Sequence, residues 1–232
     1  MDFPDVGAGT AIVRIVAPAD VSRMRPNGVD GDASLRVQRM AEAPAMAPAA
    51  RGWAYLESQA FSIRSMVAAS FMRNCNTVVE LGAGLHSIEK FLGGKHRNVI
   101  VIDPLLHDRT AGELNGHACA VDHVRARFQD LRWQIDAGAN FGLVMLGMEL
   151  QGMNEADFAM LYRLIDTAST TVIEFPTSWQ VSRDQFAEIR RRTRTREVFM
   201  SRVDFSGNEF GDLSNSWPPR CDREIHVLQP VD

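Results

Sequence analysis

The stretch Thr77-Val78-Val79-Glu80-Leu81-Gly82-Ala83-Gly84 constrains this chain more than any other. A short apolar run rich in β-branched residues reads as a buried strand. It runs straight into a glycine pair, and glycine suits a place where backbone turns tightly and approaches a ligand with no Cβ in the way. A helix is expected from about Ser87 to Leu92, and its start would present free N–H groups to the same space. A strand, a glycine turn and a helix together form the first half of a βαβ unit.

The rest of the chain repeats that rhythm. Residues 53–73 place Tyr55, Ala60, Ile63, Met66, Val67 and Phe71 mostly at three- and four-residue steps, which predicts a helix. Further strands are expected at 98–103, 131–136, 141–146 and 170–175, with helices at 117–130, 154–168 and 183–192. Residues 104–116 form a long polar connection. Two strands, 197–203 and 224–228, close the chain, with a loop rich in Gly, Asn, Ser and Pro between them. Near-continuous Val/Ile runs separated by helices indicate parallel strands covered on both faces. The expected architecture is α/β: a doubly wound, mostly parallel seven-stranded sheet whose last strand is antiparallel. Residues 1–50, rich in Ala, Pro, Gly, Asp and Met, read as an N-terminal arm or lid with one strand within 9–16. Residues 51–232 form the main domain.

Composition narrows the partners. The net charge is −4 over 232 residues, which gives no general basic face for nucleic acid. The cluster Arg190-Arg191-Arg192 sits at a helix end, where it favours the negative pole of the helix dipole. No apolar run approaches the roughly 20 residues of a membrane helix. Three cysteines without a C-x-x-C pair, and no leader-like N-terminus, give a cytoplasmic location as the expectation. The six histidines show no zinc spacing, so no metal is expected. A homodimer stands as one option for assembly.

An acid follows the glycine turn at the distance where a ribose diol is held. Asp103 ends the second strand, 19 residues after Gly84. A carboxylate accepts from both ribose hydroxyls at once. The order Glu80-x-Gly82-x-Gly84, Asp103, Asp136 and then Phe141-Gly142-Leu143-Val144-Met145-Leu146 resembles the class I S-adenosylmethionine (SAM)-dependent methyltransferase superfamily over about residues 53–230. The resemblance implies a SAM cofactor and a Rossmann-like sheet. By it, Gly82, Ala83 and Gly84 face the amino-acid part of SAM, and Glu80 orients the turn. Asp103 holds the ribose, and Asp136 or Ala137 reaches the adenine edge. Gly147 and Met148 lie beside the methionine portion. His86 either bonds the SAM carboxylate or caps the helix.

A nicotinamide dinucleotide is the competing ligand for such a turn. Its motif needs a third glycine, where this chain has Ser87. Glu80 would repel a pyrophosphate, whereas SAM is cationic at sulfur and tolerates an acid. The acceptor is less legible, because methyl transfer asks the protein mainly to position groups. Glu149, Ser178, Trp179 and Tyr55 are the candidate catalytic residues. Glu149 is a base or ammonium anchor, Ser178 and Trp179 line a pocket after strand five, and Tyr55, with Gln59, lies on a helix that folds over the cofactor. Glu174, inside a buried strand, requires a partner. His123 is expected on the surface of a helix. Asn208, Asn215 and Trp217 lie in the last loop. The favoured activity is methyl transfer to a small-molecule substrate. The alternative is a SAM-consuming enzyme that transfers the aminocarboxypropyl group or cyclises SAM to azetidine-2-carboxylate.

Overall fold

A computed structural model describes residues 12–15, 59–83, 87–92, 98–104, 113–114, 117–118, 120–147, 150, 153–177, 180–203 and 223–231. In chain order the strands are β1 (Ile12–Ile15), β2 (Thr77–Leu81), β3 (Asn98–Ile102), β4 (Glu113–Leu114), β5 (His117–Ala118), β6 (Ala120–Val124), β7 (Arg132–Ile135), β8 (Phe141–Leu146), β9 (Thr170–Pro176), β10 (Thr195–Val203) and β11 (Arg223–Pro230). The helices are α1 (Gln59–Phe71), α2 (Glu155–Thr167) and α3 (Gln180–Arg192).

Seven strands form one sheet in the order β10-β11-β9-β8-β2-β3-β6. Strands β6, β3, β2, β8 and β9 run parallel, and β11 is antiparallel to both its neighbours, β9 and β10. This is the doubly wound sheet with an antiparallel last strand that the sequence pattern predicts. The central strands are buried on both faces: every residue of β2, β8 and β9 is buried. Side chains alternate between two cores. Val79, Leu81, Leu143, Met145, Ile173 and Phe175 pack with α2 and α3. Val78, Val99, Val101, Val144, Leu146 and Val172 pack with α1 and Ile88.

The helices differ in how they are made. In α2 the Asn154 side chain accepts from Asp157 N at 2.9 Å and the Asp157 carboxylate accepts from Asn154 N at 3.2 Å, a reciprocal cap. Leu161, Leu164 and Ile165 supply its buried stripe. After β2 the expected helix is only the 3-10 turn Ile88–Phe91, and Gly93-Gly94 follow it in sequence.

Two expectations are overturned. Residues 117–130 are not a helix: they hold β5, β6 and the 3-10 turn Phe128–Asp130. Val121 and Val124 are three apart, as on one helix face, but in β6 they enter opposite cores. Their β-branched side chains suit the strand that completes the sheet beside β3. Residues 132–135 are a strand, but not the third strand of the main sheet: β7 pairs parallel with β1 in a separate two-stranded sheet. Trp133 anchors it, buried and donating its indole N–H to the Phe128 carbonyl at 3.0 Å. Apart from β1, the 1–50 segment lies outside the described residues.

Candidate functional site

The parallel strands end on one edge, and the glycines mark it. The Gly82 N–H donates to Ile102 O at 2.9 Å, which sets Gly82 level with Asp103 at the neighbouring strand end. The Gly147 N–H donates to Glu174 O at 3.2 Å on the other side of β8. Gly82 has φ +71° and Gly147 φ +70°, a left-handed backbone that disfavours any side chain. Asp103 is buried at the edge, and its N–H donates to Val124 O at 3.1 Å.

Glu80 closes the turn from beneath. Ser87 Oγ donates to Glu80 Oε2 at 2.5 Å, and Ile88 N–H donates to the same carboxylate at 3.0 Å. The Ser87 hydroxyl oxygen in turn accepts from Glu89 N at 3.1 Å. Burial pushes the Glu80 carboxyl up to about 7, against the opposing effect of the Ser87 and Ile88 hydrogen bonds. Ser87, which breaks the three-glycine dinucleotide pattern, thus pins the far end of the turn to β2.

Glu80 and Glu174 both point into the α1 core, one strand apart on either side of β8. Arg64 of α1 reaches Glu174 Oε2 with Nη1 at 2.9 Å, and Arg223, the first residue of β11, reaches Glu174 Oε1 at 3.2 Å. All three side chains are at least nine-tenths buried. Burial holds the Arg64 guanidinium below its usual pKa; Glu174 and Glu80 oppose this, and Arg223 adds repulsion. A Cβ built at Gly147 would lie 3.2 Å from Arg64 Nη1, 3.5 Å from Arg223 Nη1 and 3.6 Å from Glu174 Oε2. Farther along the edge, His123 Nε2 meets Glu89 Oε2 at 2.9 Å. His123 is therefore a half-buried strand residue paired with an acid, not the exposed helical residue expected.

The structure gathers Glu80, Gly82, Ala83, Asp103 and Gly147 at one edge. It separates Asp136 and Ala137 from them. Asp136 begins the turn after β7, with its carbonyl accepting from Ala139 N at 3.0 Å. Asn140, four residues on, accepts from Asn76 and Thr77 N at the amino end of β2. Asp136 and Ala137 thus lie at the opposite edge, because β7 runs back down outside the main sheet. The strand end beside Asp103 belongs to Val124 and Arg125. Gly84, His86, Met148, Glu149, Ser178, Trp179, Tyr55, Asn208, Asn215 and Trp217 lie outside the described residues, and Gln59 is placed only as the first residue of α1.

Arg64 and Arg223 were not among the sequence candidates. The only signal was Glu174, whose burial demanded a partner. Nothing in the spacing pointed to partners 110 and 49 residues away in the chain. No group of three or more potential metal ligands occurs among the described residues. No described helix is long and apolar enough to cross a membrane.

No family model matches the chain, and no curated protein matches it. Several solved structures are similar. A proposed RNA methyltransferase from Pyrococcus horikoshii is 13% identical with a TM-score of 0.49, over 77% of this chain and 89% of that one. The N-methyltransferase NodS from Bradyrhizobium japonicum is 9% identical with a TM-score of 0.47, over 76% and 99%. The 1,6-didemethyltoxoflavin-N1-methyltransferase from Burkholderia thailandensis, whose structure holds S-adenosylhomocysteine, is 17% identical with a TM-score of 0.46, over 82% and 95%. Likeness of this degree assigns neither ligand nor acceptor to this chain. What the chain's own geometry establishes is a doubly wound sheet with a left-handed glycine turn and a buried aspartate side by side at its carboxyl edge.

Proposed function

We propose that this protein is a SAM-dependent enzyme that transfers the cofactor's methyl group to a small-molecule acceptor. The observation that carries the reading is the pairing of Gly82, at φ +71°, with Asp103 at the adjacent strand end. Ligands of open α/β sheets bind outside the carboxyl ends of the strands, where the winding reverses. Here the strands on either side of that point are β2 and β8.

The residues present fit SAM. Asp103 can accept from both ribose hydroxyls with its two carboxylate oxygens. The turn 82–83 brings backbone close with no bulky side chain. Glu80 holds that turn through Ser87 and Ile88, and its acid character favours a cationic over a phosphate-bearing ligand. When bound, SAM supplies an electrophilic methyl on a sulfonium. The chain's part is to orient both partners and exclude water. Gly147 lies beside the methionine portion, and Glu149, Ser178, Trp179 and Tyr55 are assigned to the acceptor side. The net charge of −4 favours a small acceptor over RNA. Residues 51–232 are assigned to the SAM-binding domain, residues 1–50 to an arm, and the cytoplasm is the proposed location.

The test is incubation with SAM followed by mass spectrometry of all small products. Methyl transfer requires S-adenosylhomocysteine to accumulate only when an acceptor is supplied. Rapid release of methylthioadenosine from SAM alone would replace methyl transfer by cyclisation, and methylthioadenosine formed only with an acceptor would mean aminocarboxypropyl transfer.

A further inference from the structure

We propose that Arg64 and Arg223 form a carboxylate-binding corner beside Gly147. It deepens the SAM reading and rests on it for which ligand brings the carboxylate, but not for the corner's chemistry. Two observations support it. First, Nη1 of Arg64, Nη1 of Arg223 and Oε2 of Glu174 all lie within 3.6 Å of the single point where a Cβ of residue 147 would stand. A glycine with φ +70° leaves that point without a side chain. Second, two guanidiniums share the Glu174 carboxylate in a nearly dry environment. A buried ion cluster of this kind is poor at stabilising a fold, since apolar side chains of equal volume do as well. Its place at the ligand edge of the sheet, and not mid-core, calls for another role.

The chemistry selects the ligand class. Planar guanidinium forks match the two oxygens of a carboxylate. Glu174 within the corner and Glu80 behind Arg64 oppose a doubly charged phosphate. The carboxylate could come from the methionine part of SAM or from an acid acceptor. The strand order puts Arg223 on β11, two strands beyond β8, while Asp103 follows β3, two strands the other way. The corner is therefore on the side away from the ribose.

The test uses the full chain. S-adenosylhomocysteine and 5′-methylthioadenosine, which lacks the amino-acid part, are titrated calorimetrically into wild type, R223Q and R223K. In parallel, arginine guanidinium NMR resonances are followed while sodium acetate, benzoate or phosphate is added, with and without S-adenosylhomocysteine. If R223Q weakens S-adenosylhomocysteine roughly 10- to 100-fold, the range for one lost bond to a charged group, and leaves methylthioadenosine unchanged, the carboxylate is the cofactor's. If neither affinity changes but acetate or benzoate shifts the guanidinium resonances of S-adenosylhomocysteine-saturated wild type, with phosphate inert and R223Q silent, the carboxylate is the acceptor's. Unchanged affinities together with no carboxylate-dependent shift would overturn the corner and leave an ion triad only. Should R223Q not fold, R223K and the wild-type NMR arm decide. Should neither nucleoside bind wild type, the SAM reading falls, while the carboxylate titration still tests the corner.

Discussion

Two carboxylates in this protein each gather two arginines, and the surroundings make them different objects. Glu188, on the outer face of α3, takes Arg191 at 2.6 Å and Arg192 at 2.7 Å, with all three side chains open to water. Those hydrogen bonds hold its carboxyl down to about 2. Glu174, inside the sheet, takes Arg64 and Arg223 with almost no exposure. At the surface, water screens the charges and the cluster is a solvated helix end. Under α1 the charges have lost their water and depend on one another. Equal stoichiometry therefore carries unequal meaning, and of the two sets the buried one lies beside Gly147 at the carboxyl edge of the sheet.

The largest expected effect separates the two. Glu174→Gln leaves two guanidiniums buried without their shared charge and should cost about 3–5 kcal/mol in urea unfolding. Glu188→Gln should leave the unfolding midpoint unchanged. Equal effects would erase the distinction drawn between them.

Glu80 sharpens it through pH. Its folded pKa, about 7, lies above the ordinary value of 4.5, because burial disfavours the charged form. As pH rises from 4.5 to 7 the unfolded chain ionises first, so the stability Glu80 contributes is complete below 4.5 and lost through 7. The loss is about 3 kcal/mol at most, at roughly 1.4 kcal/mol per pH unit of separation. Urea midpoints at pH 5 and pH 8 should therefore converge in E80Q relative to wild type. An identical pH slope in both proteins would place the titrating group elsewhere. Asp103→Ala should then weaken SAM binding by about 1.5–3 kcal/mol, as a lost hydrogen bond to a charged group does, and should shift the unfolding midpoint less than Glu174→Gln does.

The smallest effect lies on the opposite face. Asn154→Ala removes half of the reciprocal cap of α2 and should cost about 1 kcal/mol of stability, with ligand affinity unchanged. A change in SAM affinity would show that the α2 face reaches the site.

Legibility in the sequence followed the locality of the interactions. Strands β2, β3, β8 and β9 announced themselves because each is buried almost throughout and reads as a mostly apolar run. Strand β6 did not: Ala120-Val121-Asp122-His123-Val124 is short and mixed, and only pairing with β3 makes it a strand. That miss gave residues 131–136 the place in the sheet that β6 holds, and carried Asp136 to the wrong edge. Glu80, Gly82 and Asp103 were readable because turn chemistry and a 19-residue spacing are local. Arg64 and Arg223 were not, since only the closed sheet brings a helix before β2 and the final strand to the same carboxylate.

The central claim is that the edge formed by Glu80, Gly82 and Asp103 binds SAM. Calorimetric titration of wild-type protein with SAM, S-adenosylhomocysteine and NAD tests it most directly. The account predicts binding of SAM and S-adenosylhomocysteine, weakened by Asp103→Ala, and no response to NAD. Binding of NAD with no response to either SAM compound would contradict it.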